Sequence, residues 1–165
     1  MKKTDDIKIT YFEKIHLDAK EPKKANETDS GWDLTACDNP RFEISYINGK
    51  SYVTNIIYDT GIRVKFALGY CGFVYPRSSI KKYDIFLSNS VGVIDEGYRG
   101  SIQCSFRPVV PVEINDIHNL NIYKKGDRIA QLVITRRYEE IDMVEGVVEV
   151  DTQRSTGGFG SSGIT

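Results

Sequence analysis

Short runs of alternating apolar and polar residues, separated by turn residues at roughly ten-residue spacing, constrain the fold of this chain most. The alternation is clearest on either side of Asn48-Gly49, a dipeptide typical of the type I′ turn of a β-hairpin. Almost no segment repeats apolar residues at helical spacing. The sequence therefore predicts an all-β fold, a jelly-roll-like barrel or sandwich of short strands.

Three further segments have a predicted local structure. Residues 90–103 carry two strand-like runs joined by a Gly-containing turn, and we expect a second β-hairpin there. Residues 77–83 predict the one short helical turn of the fold, with a serine as its cap. Residues 115–121 are predicted to be loop.

The composition of the chain limits its partners and its compartment. It has 165 residues, 27% of them charged, and a net charge of −1 at pH 7, which provides no electrostatic footprint for nucleic acid or an anionic membrane. No apolar run approaches the roughly 18 residues of a membrane span, and the N-terminal residues lack the apolar segment of a secretory signal. The widely spaced Cys37, Cys71 and Cys104 predict no disulfide framework. We therefore expect an intracellular, reducing location (cytoplasmic or nuclear), with no nucleic-acid or membrane partner.

The end of the chain differs from the rest. Residues 154–163 hold four glycines together with Arg154 and Phe159. We expect a β core over residues 1–140 and a C-terminal arm over residues 141–165, whose Gly-rich end is flexible in isolation. A plain spacer has no need for an arginine and an aromatic ring, so this segment is a candidate binding element.

Several groups in the chain suit a nucleoside polyphosphate. Backbone N–H groups of Gly-rich turns, hydroxyls at a helix start and an arginine bind phosphates, and they occur in residues 77–79 and again in residues 154–162. Phe159, flanked by glycine, is suited to cover a flat ring. Asp95, at the end of an apolar strand, is a candidate acceptor of a proton from water. The residues thus indicate a polyphosphate substrate with water as the nucleophile.

Five blocks of sequence also resemble a known family. In chain order they are DSGWDLTA (29–36), PRSS (76–79), NSVGVIDEGYRG (89–100), GDRIAQLV (126–133) and RSTGGFGSSG (154–163). Each is moderately specific alone, but in this order they make the chain resemble the trimeric deoxyuridine triphosphatases (dUTPases). The resemblance implies hydrolysis of dUTP to dUMP and pyrophosphate, which keeps uracil out of DNA and supplies dUMP for thymidylate synthesis.

The resemblance also implies roles for residues of the central segment. Asp95 would orient and deprotonate the water that attacks the α-phosphorus, and Tyr98 would pack on the deoxyribose and exclude a 2′-hydroxyl. Asn89 and the backbone of Val93 and Gln103 would read the uracil edge, with Ile94 in the same binding segment.

The remaining roles concern the phosphates, the lid and the assembly. The phosphate chain would be held by Arg77, Ser78, Ser79 and Gln131. The lid would use Arg154 on the γ-phosphate, Phe159 on the uracil, and Gly160, Ser161 and Ser162 closing over the phosphates. Mg²⁺ would be held by the phosphates and waters rather than directly by the protein, with Asp33 acting through water or by holding Arg77 in place. The family implies a homotrimer with composite sites, each built from residues of more than one subunit.

Other interpretations stay open from the sequence. Asp33, Arg77, Gln131 and Tyr98 each have a purely structural alternative as ion-pair or packing residues. A dCTP deaminase shares part of the pattern but needs a glutamate where this chain has Ser105. A third possibility is a nucleotide-sensing module that has lost turnover and binds a partner through the extended segments 40–58 and 109–120.

Overall fold

Two four-stranded antiparallel sheets and one two-stranded ribbon make up the computed structural model, which describes residues 8–150. The strands are β1 (Tyr11–Lys14), β2 (Gly31–Thr35), β3 (Arg41–Ile47), β4 (Lys50–Asp59), β5 (Ile62–Lys65), β6 (Tyr70–Pro76), β7 (Ile85–Leu87), β8 (Gly92–Ile94), β9 (Gln103–Pro108) and β10 (Arg128–Arg136). The first sheet has the order β2-β10-β6-β8, the second has the order β3-β4-β9-β7, and β1 pairs with β5. The predicted all-β fold is confirmed.

The core lies between the two sheets. Leu34 and Leu132 from the first sheet and Ile56 and Phe106 from the second are each at most 2% exposed and belong to one apolar cluster. Period-2 alternation places such residues on one face of each strand, so packing the two apolar faces together buries them. This arrangement is a β-sandwich.

The hairpin predicted at Asn48-Gly49 is confirmed. β3 and β4 pair directly up to Ile47 and Lys50, and the two turn residues have φ of 50° and 81°. Both positive angles are those of a type I′ turn, which asparagine and glycine adopt most readily.

The hairpin predicted over residues 90–103 is wrong. β8 pairs with β6 in the first sheet, whereas β9 pairs with β4 and β7 in the second. Between them, Ile102 is fully buried and exchanges backbone hydrogen bonds with Thr60 and Ile62. The chain therefore makes a tight turn after Asp95 and crosses from one sheet to the other. Pairing with strands distant in sequence outweighs the local hairpin pattern.

The helical predictions are partly wrong. A 3-10 helix does follow Pro76, over Ser78–Lys82, but its N-cap residue is Arg77 and no side chain caps it. Ser78 already lies inside the helix, so a serine cap is excluded. A second 3-10 helix, Ile114–Asn119, lies where loop was predicted, with Ile114 and Ile117 packed against the core. A 3-10 helix of six residues makes only about two turns, too few for its apolar spacing to be recognised in the sequence.

The arm was predicted to begin at residue 141. Residues 141–150 contain no helix or strand, and β10 ends at Arg136. Within residues 8–150, no helix is long and apolar enough to cross a membrane.

Candidate active site

The buried carboxylate of the candidate site is that of Asp33 on β2. Arg77 Nε donates to Asp33 Oδ1 at 2.7 Å, and Arg128 Nη1 donates to Oδ2 at 2.8 Å. Asp33 is only 7% exposed, and a buried carboxylate is stable when paired and hydrogen-bonded in this way. Of the two roles expected for Asp33, the contacts favour holding Arg77 in place.

Sheet register places Gln131 beside this ion pair. Gln131 on β10 lies directly opposite Asp33 on β2, so the two side chains point to the same face of the sheet. Gly31 on β2 lies close to the Gln131 side chain: a Cβ added at position 31 would be 3.1 Å from Gln131 Cβ. The structure therefore brings together three predicted residues, Asp33, Arg77 and Gln131.

The two serines of the PRSS block begin the first 3-10 helix. Ser78 is exposed and Ser79 is half-buried. Arg77 Nη1 donates to Ser79 Oγ at 3.3 Å, so the same guanidinium contacts both Asp33 and Ser79. Arg77 is thus fixed in position, with 20% of its side chain exposed. We call Arg77, Ser78, Ser79 and Gln131 the arginine group of the site. Its cationic and hydroxyl donors are suited to phosphate oxygens.

Asp95 occupies the tight turn that follows β8. Its side chain is exposed, and its carbonyl accepts a hydrogen bond from Tyr98 N at 3.0 Å. An exposed carboxylate in a defined turn can accept a proton from a nearby water.

Tyr98 lies across the backbone of the same segment. Its hydroxyl donates to the Ser101 carbonyl at 2.9 Å, and 43% of the residue is exposed. The ring passes directly over Gly100, where an added Cβ would lie 2.7 Å from Tyr98 Cζ. Glycine at position 100 therefore permits this orientation of the ring, which leaves a large aromatic surface available for a ligand.

The expected base-reading residues surround this turn. Asn89, Val93 and Gln103 are exposed, and Ile94 is half-buried. β8 pairs with β6 on one side only, since it is the edge strand of its sheet. An edge strand leaves backbone donors and acceptors free to pair with another molecule.

Asp59, at the end of β4, was not foreseen as part of the site. It accepts hydrogen bonds from Gly61 N at 2.8 Å, from Gln103 Nε2 at 3.0 Å and from Ser101 Oγ. Burial disfavours the charged form of this carboxyl, but the hydrogen bonds outweigh burial and lower its pKa below the ordinary value. Asp59 thereby fixes the segment that leads from Tyr98 into β9. The sequence signal was an aspartate two residues before a glycine, which is common in turns.

The arginine group and Asp95 lie at opposite ends of β6. Ile94 pairs with Gly72 near the start of that strand, whereas Arg77 follows its last residue. Five residues of extended chain separate Gly72 from Arg77, or about 17 Å at the usual rise of about 3.3 Å per residue. The two groups of predicted residues are therefore not brought together within one chain.

The predicted lid residues Arg154, Phe159, Gly160, Ser161 and Ser162 lie outside the residues that the structure describes. Among residues 8–150, no group of three or more His, Cys, Asp or Glu side chains could hold a metal ion.

Position 105, where a deaminase needs a glutamate, carries a hydroxyl in a polar cluster. Ser105 Oγ lies 3.3 Å from both Ser88 Oγ and Asn55 Oδ1. Glu113, the next glutamate along the chain, forms an ion pair with Lys50 instead. The structure gives no support to the deaminase interpretation.

A family model described as dUTPase matches residues 18–163, which is most of the chain. This chain belongs to the dUTPase family. Among curated dUTPases, the protein of Rhodococcus erythropolis is 31% identical over 97% of this chain and 88% of its own length. The dUTPase of Escherichia phage T5 is 34% identical over 86% of this chain and 90% of its own length.

Solved structures show the same fold. A mutant dUTPase of Staphylococcus bacteriophage 80alpha, solved with dUpNHpp, superposes with a TM-score of 0.67 at 21% identity and covers 94% of this dUTPase and 99% of its own chain. A mutant dUTPase of phage phi11 of S. aureus superposes with a TM-score of 0.61 at 17% identity, covering 87% of this chain and 99% of its own. That protein is described as coordinating a structural Mg(II) ion.

Proposed function

We propose that this dUTPase hydrolyses dUTP to dUMP and pyrophosphate, with Asp95 as the general base for the water that attacks the α-phosphorus. The observation that carries the proposal is the Asp95–Tyr98 turn, which presents an exposed carboxylate beside an exposed aromatic ring in a chain matched by the dUTPase model. A positioned base typically contributes about 10²–10⁴-fold to the rate of such a reaction.

Selectivity for the base and the sugar comes from the same segment. Tyr98 covers the deoxyribose and leaves no room for a 2′-hydroxyl. Asn89 and the backbone of Val93 and Gln103 pair with the uracil edge, and Ile94 lies between them. The exposure of the first three residues and the edge position of β8 support this assignment.

The arginine group binds the phosphate chain. Arg77 contacts both Asp33 and Ser79, Gln131 lies opposite Asp33, and the exposed Ser78 lies between Arg77 and Ser79 in the chain. Asp33 fixes the guanidinium before substrate arrives. A donor that is already oriented does not have to be ordered when substrate binds, and the phosphate is bound more tightly for that reason. We assign the lid to Arg154, Phe159, Gly160, Ser161 and Ser162, on the family pattern alone.

The residues of the site fit a magnesium ion whose ligands are phosphate oxygens and waters. Both oxygens of Asp33 already accept hydrogen bonds from arginines, and the described part of the chain holds no cluster of metal-ligating side chains. Mg²⁺ keeps several waters and binds readily to substrate phosphates, where it neutralises their charge. Arg77 and Arg128 place further positive charge in the same region.

The active unit is a homotrimer with composite sites. The separation of about 17 Å along β6 between Asp95 and the arginine group of its own chain supports the proposal that a second subunit supplies one of the two groups. The arm leaves Met143, Val144, Val147 and Val148 at least 80% exposed, and a neighbouring subunit would cover these side chains. We assign the arginine group to one subunit, Asp95 to a second and the lid to a third.

The proposed reaction is tested by pyrophosphate release from dUTP, dCTP, dTTP and UTP, each with Mg²⁺. Release from dUTP alone supports the reaction together with the base and sugar selectivity. Absence of release from a folded trimer contradicts it and favours a nucleotide-sensing module. Ammonia release from dCTP would instead indicate a deaminase.

A further inference from the structure

Glu96, the residue after Asp95, connects the turn of residues 95–99, here called the catalytic turn, to other parts of the fold through hydrogen bonds. Its Oε2 accepts hydrogen bonds from Gly69 N at 3.0 Å and from Arg137 Nη2 at 3.1 Å. Only 24% of the Glu96 side chain is exposed, whereas Asp95 beside it faces solvent. Two adjacent carboxylates therefore have different surroundings, one held by the protein and one open to a ligand.

Gly69 and Arg137 are also bonded to each other. Arg137 N donates to the Gly69 carbonyl at 2.7 Å. Gly69 has a φ of 78°, in the left-handed region that favours glycine, and this conformation turns the chain into β6. Arg137 is the first residue after β10, and residues 137–140, which we call the root of the arm, lead from that strand to the arm predicted from residue 141. Glu96, Gly69 and Arg137 thus join the catalytic turn, the turn before β6 and the root of the arm.

The turn has few other attachments. Within the described chain, every other hydrogen bond made by residues 95–99 stays inside residues 95–101. Arg99, for example, donates to the carbonyls of Glu96 and Tyr98 in the same turn. In the part of the chain that the structure describes, Asp95 is therefore held by its link to β8 on one side and by the contacts of Glu96 on the other.

We propose that Glu96 is a positioning residue for the general base, and that its ion pair with Arg137 couples the placement of Asp95 to the root of the C-terminal arm. The inference rests on the proposed role of Asp95. Arg137 is half exposed, and ion pairs of that kind contribute little to stability. Catalysis is far more sensitive to geometry, because a misplacement of about 1 Å can cost roughly a hundredfold in rate.

The test uses three variants: Glu96→Gln, Arg137→Met and the double variant that combines these two changes. They are compared with a control variant, Glu140→Gln. The glutamine keeps an acceptor for Gly69 N but removes the charge that binds Arg137. Glu140→Gln is the matched control, since it removes a neighbouring exposed ion pair, Arg136–Glu140 at 3.5 Å, that does not touch the turn. Each variant is assayed for kcat and KM with dUTP and for its urea unfolding midpoint.

We expect Glu96→Gln and Arg137→Met each to lower kcat about tenfold, with KM and the unfolding midpoint little changed. The double variant should be no slower than the slower single variant, because both changes remove the Glu96–Arg137 contact. Arg137→Met also removes the exposed pair of Arg137 with Glu139 at 2.6 Å, but that pair does not touch the turn. The control should keep the kcat of the unmodified protein.

An unchanged kcat in Glu96→Gln would overturn the inference, and so would losses that add in the double variant. A decrease in kcat that follows a decrease in the unfolding midpoint would also overturn it, since that is the behaviour of a merely structural residue. Failure of the proposed function itself looks different. In that case the unmodified chain releases no pyrophosphate, or Asp95→Asn is as active as the unmodified chain.

Discussion

Arg77 Nε donates to Asp33 Oδ1 at 2.7 Å, and this buried contact fixes the guanidinium at the end of β6. The other carboxylate oxygen accepts from Arg128, so Asp33 organises two cations that lie far apart in sequence. In the proposed phosphate-binding role neither arginine needs to be ordered when substrate arrives, so the contact would link the stability of the fold to substrate affinity.

Replacing Asp33 should therefore affect both properties. We expect Asp33→Asn to lower the free energy of unfolding by about 2 kcal/mol, which is typical for the loss of a hydrogen bond to a charged group. We also expect it to raise KM for dUTP by a larger factor than it lowers kcat. Urea unfolding and steady-state kinetics measure the two effects. Glu13→Gln, which breaks the exposed Arg63–Glu13 pair at 2.7 Å, should change stability by less than about 1 kcal/mol and leave KM unchanged. A KM of Asp33→Asn equal to that of the control would contradict the assignment.

Gly100 offers a test of sugar selection. A Cβ at this position would meet the Tyr98 ring at 2.7 Å from Cζ, so Gly100→Ala should displace the ring. We expect the ratio of kcat/KM for UTP to that for dUTP to rise about tenfold or more, since the ring no longer excludes the 2′-hydroxyl. Gly97→Ala is the matched control in the same turn, because a Cβ there has no neighbour within 4 Å. An unchanged ratio in Gly100→Ala would remove Tyr98 from sugar selection.

Asp59 should make the stability of the protein depend on pH. Its pKa is lower in the folded chain than the ordinary 3.8, so its contribution is complete above that value and is lost as pH falls through the folded pKa. We expect Asp59→Asn to be about 1–3 kcal/mol less stable than the unmodified protein at pH 7, with the difference shrinking below about pH 4. Thermal or urea unfolding at several pH values measures this. Asp116→Asn, at an exposed position, is the control, and a constant difference for Asp59→Asn would refute the prediction.

Local sequence signals predicted strand pairing correctly where the paired strands are adjacent in sequence. Asn48-Gly49 specifies a turn through its own backbone preferences, and the hairpin forms as predicted. The segment 90–103 carries similar signals, but its two strands join different sheets. The decisive pairings there are with β6, β4 and β7, and no short stretch of sequence encodes them.

The same distinction applies to the site. The sequence blocks pointed to Asp95, Arg77 and Gln131, because these residues lie in recognisable motifs. The supporting residues Asp59 and Glu96 were missed as such, since their partners Gln103 and Arg137 lie 44 and 41 positions away in sequence. Only the fold shows that these carboxylates hold the segment from Asp95 to Gln103, which carries the proposed general base.

Asp95 and Arg77 are proposed to act in one site but to come from different subunits. The most direct test mixes two inactive variants, Asp95→Asn and Arg77→Ala, after unfolding and joint refolding at equal amounts. Each variant alone should lose about 10²–10⁴-fold in the rate of pyrophosphate release from dUTP. The refolded mixture should recover up to about a quarter of the activity of the unmodified protein, because random assembly leaves that share of composite sites intact. A mixture that exchanges subunits and stays inactive would place both residues in a site within one chain and contradict the account.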